Sequence, residues 1–328
     1  MRSFSLLLLS ILAGCGVAGT GDDDDSVGSG FVDLLLVVDN SSSMADEQLA
    51  LEALGDALSA LPSPELMQVS VTTTDLVSGG NGNQGNVRSL SPIGGTTCEE
   101  PTVVDPSTEA GRDDLAALVN VGSGSGNESG VLATALALCK AQGADFWDQL
   151  DDRSEDDPVR GICRLVPATE RATGATPPCN AGVLRDGAEL VVAIVSDEGD
   201  SAVSRNDLPP QSVLGGCGFD DCACRIDWFT DFFRDPQFPP VRFVTVTPSY
   251  QLTGEPIDLC GEARDVPGPC NPFGASTCSI DLYQQLSCLG AGGVYAPIQQ
   301  NSGGVSPENP PNCVDAPVVP PIVEAVGG

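Results

Sequence analysis

Histidine is absent from all 328 residues of this chain. Without an imidazole there is no Ser-His-Asp or Cys-His catalytic arrangement, and no His-ligated zinc or haem. Positive charge is scarce as well: 14 Lys+Arg stand against 46 Asp+Glu, a formal net charge of −32. A surface that acidic repels phosphates, which argues against nucleic acid as a partner and fits solubility at a cell surface. The amino-terminal apolar run, Phe4–Leu12, is too short for an ordinary membrane span; with Arg2 before it, it reads as an export signal. What the chain does have is 41% hydrophobic residues, enough to fill the core of one large domain or two small ones.

The signal ends in Leu12-Ala13-Gly14-Cys15, which resembles the lipobox of bacterial lipoproteins. The resemblance implies cleavage before Cys15, acylation of that cysteine and attachment to the membrane through the N-terminal lipid. An ordinary cleavable signal that happens to contain a cysteine is the alternative. Gly16 and Val17 follow Cys15, with no aspartate. By analogy with enteric bacteria this implies the outer membrane of a Gram-negative cell envelope. Of 13 cysteines, removing the lipidated one leaves 12, an even number that allows up to six disulfides with the connectivity open. Cys217, Cys222 and Cys224 can also be read as a metal cluster; without histidine and outside the cytosol, disulfides are preferred.

The expected organisation is a signal at 1–14, an acidic, Gly-rich tether at 15–30, one folded domain at 31–299 and a Pro-rich, extended tail at 300–328 held back by Cys313. Within the domain, Phe31–Val38 reads as a buried strand, Ala45–Leu61 as an amphipathic helix and Leu66–Thr74 as a second strand, a βαβ opening. Ser78–Pro106 reads as a surface excursion. Gly111–Val119 and Val131–Ala141 read as helices, and Asp145–Cys179 carries no clear period. Leu190–Val195 and Val241–Thr247 read as strands. Ile226–Phe233 and Ile280–Leu289 read as helices, and Gly292–Ile298 as a closing strand. The fold class expected is α/β, a Rossmann-like, doubly wound, mostly parallel sheet with long disulfide-stapled loops.

Two of the strands end in oxygen-bearing side chains. Leu34–Val38 runs into Asp39-x-Ser41-x-Ser43, and Leu190–Val195 runs into Ser196-Asp197-Glu198-Gly199-Asp200. Carboxylate and hydroxyl oxygens just past the carboxyl ends of parallel strands suit a hard cation such as Mg²⁺, Ca²⁺ or Mn²⁺. The same residues also read as a helix N-cap (Asp39–Ser43) and an acidic surface turn (Asp197–Asp200).

Taken in order, the strand ending Asp39-x-Ser41-x-Ser43, the later strand ending in Asp197 before a glycine, and the closing Gly-Gly-Val-Tyr resemble a von Willebrand factor A domain with its metal-ion-dependent adhesion site. The resemblance covers Phe31–Ile298. It implies direct ligation of a divalent cation by Ser41 and Ser43, with Asp39 and Asp197 binding directly or through water. It also implies an open position for a carboxylate from a protein or cell-surface ligand. The family supplies a threonine from a loop before a central helix, whereas Ser123–Gly130 contains none; Ser125 is the first substitute, then Ser123, then Glu128. The function so implied is adhesion or interaction rather than catalysis. A structural or assembly component of an envelope complex is the alternative, and a metal-dependent hydrolase using Glu198 as base is the least supported.

Overall fold

A computed structural model describes residues 30–76, 85–90, 102–123, 129–174, 178–197, 200, 217, 221–247, 277–289, 293–297 and 318–327. The segment read as an export signal, Cys15, the segment read as a tether up to residue 29, Ser125, Glu128 and Glu198 lie outside them. Among the described residues five strands form one sheet: β1 (Val32–Val38), β2 (Met67–Thr73), β3 (Glu189–Val195), β4 (Val241–Thr247) and β5 (Val294–Pro297). Their spatial order is β2-β1-β3-β4-β5, and every pair is parallel. Parallel strands covered on both faces need apolar side chains at every position. Accordingly, Leu34 to Val38 and Leu190 to Val195 are all at most 1% exposed.

Alternation along the strands builds two cores. Leu35, Val37, Val192, Ile194 and Phe243 face one side, while Leu34, Leu36, Val38, Ala193, Val195 and Val246 face the other. On the first side lie α4 (Gly130–Ala141), α5 (Ala144–Leu150), α6 (Pro158–Cys163), α7 (Cys222–Phe233) and α8 (Thr277–Ser287). On the second lie α1 (Ala45–Leu51), α2 (Leu54–Ser59), α3 (Glu109–Val119) and α9 (Val319–Gly327). Helices on both faces of a parallel sheet make the α/β, doubly wound architecture expected from the sequence.

Two local expectations are corrected, and two stretches read without elements gain structure. The single helix Ala45–Leu61 is two short ones, entered through a 3₁₀ turn at Ser42–Met44. Between them Glu52 and Ala53 donate to Leu49 and Ala50, three residues back, which overwinds the chain there while Leu51, Leu54 and Leu58 stay buried. The region without periodicity, Asp145–Cys179, contains α5 and α6, too short to show a period. α6 is started by Pro158 and by Asp157, whose carboxylate accepts from the Arg160 N–H at 3.1 Å. Part of the Ser78–Pro106 excursion covers the free edge of β2: Val69 and Val104 exchange main-chain hydrogen bonds, and Arg88 N–H donates to the Val71 carbonyl. Finally, the tail is not extended at its end. Pro320 and Pro321 sit in the first turn of α9, where a missing N–H is harmless, and Ile322, Ala325 and Val326 are buried against the second core.

Disulfides brace the loops, as the cysteine count implied. Cys139–Cys163 joins α4 to α6, and Cys217–Cys224 closes the start of α7. Cys179, Cys222 and Cys288 are disulfide-bonded too. The Cys217, Cys222, Cys224 group is therefore a disulfide cluster.

Candidate metal centre

The strand order reverses between β1 and β3, which leave from the sheet centre toward opposite edges. At such a switch point the connections part and leave a crevice at the carboxyl end of the strands. Asp39 follows β1 and Asp197 follows β3, so both stand at that crevice. The two ends are tied by the Asp39 N–H, which donates to the Val195 carbonyl at 2.9 Å.

Asp39 is fully buried and engages both carboxylate oxygens: Oδ1 accepts from the Ser41 N–H at 2.6 Å, and Oδ2 accepts from the Ser196 hydroxyl at 2.6 Å. The first bond turns the chain so that Ser41 and Ser43 swing back over the end of β3. Ser41 Oγ and Ser43 Oγ are 2.9 Å apart, and they lie 3.5 Å and 3.2 Å from Asp197 Oδ1. Neighbouring ligands of an octahedral Mg²⁺ at about 2.1 Å are separated by about 3.0 Å, and those of Ca²⁺ at about 2.4 Å by about 3.4 Å. The three oxygens thus have the spacing of one face of a coordination shell for a hard divalent cation. Among the described residues no group of three or more His, Cys, Asp or Glu gathers as a metal site, here or elsewhere; the candidate oxygens are two hydroxyls and one carboxylate.

The helix-cap reading of Asp39–Ser43 does not hold. Ser41 precedes the 3₁₀ turn with no side-chain cap bond, and α1 has no capping side chain either. The hydroxyls point across to β3 instead of back to the helix. Asp197, read alternatively as a surface turn, is 1% exposed. Asn40, between Asp39 and Ser41, is also fully buried, yet neither of its amide atoms has a hydrogen-bond partner. A buried amide left so costs about 1–3 kcal/mol, which is consistent with further polar groups at this edge.

Gln48, Gly122, Ser129 and Gly130, which the sequence had not singled out, together with Asp200, which it had, hold the site in shape. Gln48 on α1 donates to the Asp39 carbonyl at 3.0 Å and exchanges two bonds of 3.3 Å with the main chain of Gly122. Gly122 has φ +74°, a conformation that favours glycine. Ser129 caps α4 by accepting from the Leu132 N–H and donates to Asp200 Oδ1 at 2.7 Å. Asp200, fully buried, also accepts from the Val131 N–H at 2.9 Å, close to the positive end of the helix. Gly130 lets this helix start press on β3, since a Cβ there would sit 2.5 Å from the Ile194 side chain. Sequence could have suggested Ser129 as a cap one residue before a helix; Gln48 carries no such signal.

Beside the serines opens a cleft of about 440 Å³ lined by Ser41, Ser42, Asp46, Leu49, Glu52 and Ser123. Ser123, the second substitute for the missing threonine, therefore shares a cleft with Ser41.

No protein-family model and no curated protein matches the chain. Among solved structures, the pilus adhesin SpaC from Lactobacillus rhamnosus GG, in its open conformation, is similar with a TM-score of 0.30 and 10% identity. The match covers 52% of this chain and 15% of that one, a likeness too slight to bear on fold or function.

Proposed function

We propose that this chain is a lipid-anchored envelope protein of the von Willebrand factor A type. Its α/β domain binds one divalent cation, Mg²⁺, Ca²⁺ or Mn²⁺, through Asp39, Ser41, Ser43 and Asp197. A serine from the connection between α3 and α4, Ser125 or Ser123, completes the set. The cation offers an open position to a carboxylate of a protein or cell-surface ligand, so the activity is binding rather than turnover. The observation that carries this reading is the meeting of Ser41 Oγ, Ser43 Oγ and Asp197 Oδ1 within 3.5 Å at the sheet's switch point. Hydroxyls are weak neutral donors toward a metal, and two of them beside carboxylates suit a hard ion that keeps waters and can exchange one for a ligand oxygen. The adjoining cleft gives such a ligand room beside the ion.

A second reading, in which the ion only holds loops together, draws on the hydrogen bonds that already link the end of β1 to Asp197. Capture of partners from intact envelope, with and without EDTA, separates the two. Under the proposed function, partner capture by the wild type is lost with EDTA and in Asp39→Ala, while circular dichroism shows the domain folded. Capture unaffected by both changes overturns it. A fall in melting temperature with capture intact supports the structural ion.

A further inference from the structure

On the first-core side of the sheet, remote from the candidate metal centre in sequence, three side chains meet whose chemistry is unrelated to it. Lys140, near the end of α4, is 1% exposed. Its Nζ lies 2.6 Å from Glu170 Oε2 and 3.0 Å from Asn86 Oδ1. Glu170, in the 3₁₀ turn Ala168–Glu170, is itself 6% exposed. An amine, a carboxamide and a carboxyl group thus share one water-poor site.

The backbones that carry the amine and the carboxamide are locked to each other by a single residue. Asn180, 1% exposed, donates from Nδ2 to the Gly85 carbonyl and the Ala137 carbonyl, both at 3.0 Å. Its Oδ1 accepts from the Val87 N–H at 3.0 Å, and its own N–H donates to the Lys140 carbonyl. Asn86 is therefore gripped on both flanks and Lys140 at its own carbonyl. The Thr72 hydroxyl adds a bond of 2.8 Å to the Asn86 carbonyl. Holding two reacting groups in register in this way is worth a large share of a reaction barrier.

We propose that Lys140 and Asn86 form an intramolecular isopeptide bond, with Glu170 carrying the protons. Lys140 Nζ, after giving a proton to Glu170, attacks Asn86 Cγ. The Nζ–Cγ bond forms, the Cγ–Nδ2 bond breaks and Nδ2 departs. Of the three ammonium protons, one stays on the new amide nitrogen and two leave with Nδ2 as an ammonium ion; Glu170 ferries them and ends as it began. No oxidant, reductant or other reactant is required. Burial pushes the Lys140 amine below its ordinary range against the opposing pull of Glu170, which favours the neutral, nucleophilic form. The same low-dielectric surroundings make proton transfer within the ion pair easy, because separated charges are costly there.

The product would bind the segment that covers the edge of β2 to the central helix by a bond that reduction does not cut, unlike the Cys139–Cys163 disulfide one residue away on the same helix.

The test is a proteolytic map of the folded, full chain by tandem mass spectrometry after reduction and alkylation. The expected result is a branched peptide containing both Asn86 and Lys140, lighter than the sum of its two arms by one ammonia, and no tryptic cleavage after Lys140. In Glu170→Gln, shown folded by circular dichroism, the same two peptides are expected separate, as they are in Lys140→Arg. Linear peptides with an intact Asn86 carboxamide and cleavage after Lys140 in the wild type would overturn the proposal. Cross-linking at the wild-type level in Glu170→Gln would overturn the role given to Glu170.

Discussion

Asp39 and Asp200 show how single carboxylates set the shape of this edge of the sheet. Asp39 spends both oxygens on Ser41 and Ser196, and so aims the serines rather than capping a helix. Asp200 spends its oxygens on Ser129 and the start of α4. Replacing Asp200 by Ala strands a buried hydroxyl and a helix N–H, at a cost of about 2–3 kcal/mol. Urea unfolding of D200A checks this, and a change below half a kilocalorie would contradict it. Ser129→Ala removes the cap and one Asp200 partner, and about 1–2 kcal/mol is expected by the same measurement. Asp39, Ser41, Ser43 and Asp197 could be picked out as candidates from the sequence because each sits just past an unbroken apolar strand. Gln48 was not, since its role depends on α1 being placed beside Gly122, a contact between residues 74 positions apart.

Strands were easier to read than helices. A parallel strand buried on both faces is a run of apolar residues, and β4 falls at Val241–Thr247, where the run stands in the sequence. Helices α5 and α6, of seven and six residues, have no room to display a period and owe their place to packing, to Asp157 and to the Cys139–Cys163 bond. That disulfide closes a loop with a sequence separation of 24, and chain entropy puts its loss at about 3 kcal/mol. Thermal unfolding of the Cys139→Ala, Cys163→Ala double variant tests the figure. Asp157 also belongs to an ion-pair group in which Arg153 donates to both oxygens of Asp235, at 2.8 and 3.0 Å. Burial pulls the Asp235 carboxyl upward, but the Arg153 guanidinium and the Gln237 N–H outweigh it and hold it below the usual range. A carboxyl lowered in the folded state stabilises it above the unfolded value of about 3.9, and that stabilisation is lost as pH falls through the folded value. D235N should therefore be less stable than wild type at pH 7, by about 1 kcal/mol after solvent screening, with the gap closing below about pH 4. A gap that widens in acid would contradict this.

At the scale of the whole molecule, the order β2-β1-β3-β4-β5 gives the sheet one switch point, and the candidate oxygens stand at it. Strand order was not legible residue by residue, because it depends on which elements the long connections bring together. The end of the tail was misread because proline-rich sequence reads as extended, whereas two prolines in a first turn are compatible with helix. The net charge of −32 attracts cations everywhere, so a site must be distinguished from the general field. Calorimetric titration of Mg²⁺, Ca²⁺ and Mn²⁺ into the EDTA-treated full chain makes that distinction, in about 0.15 M salt to screen the surface. The predicted result is one saturable site for at least one of the ions, weakened about tenfold or more in Asp197→Ala. Diffuse, unsaturable binding, or binding of equal strength in the variant, would contradict the assignment of Asp39, Ser41, Ser43 and Asp197 as a metal centre.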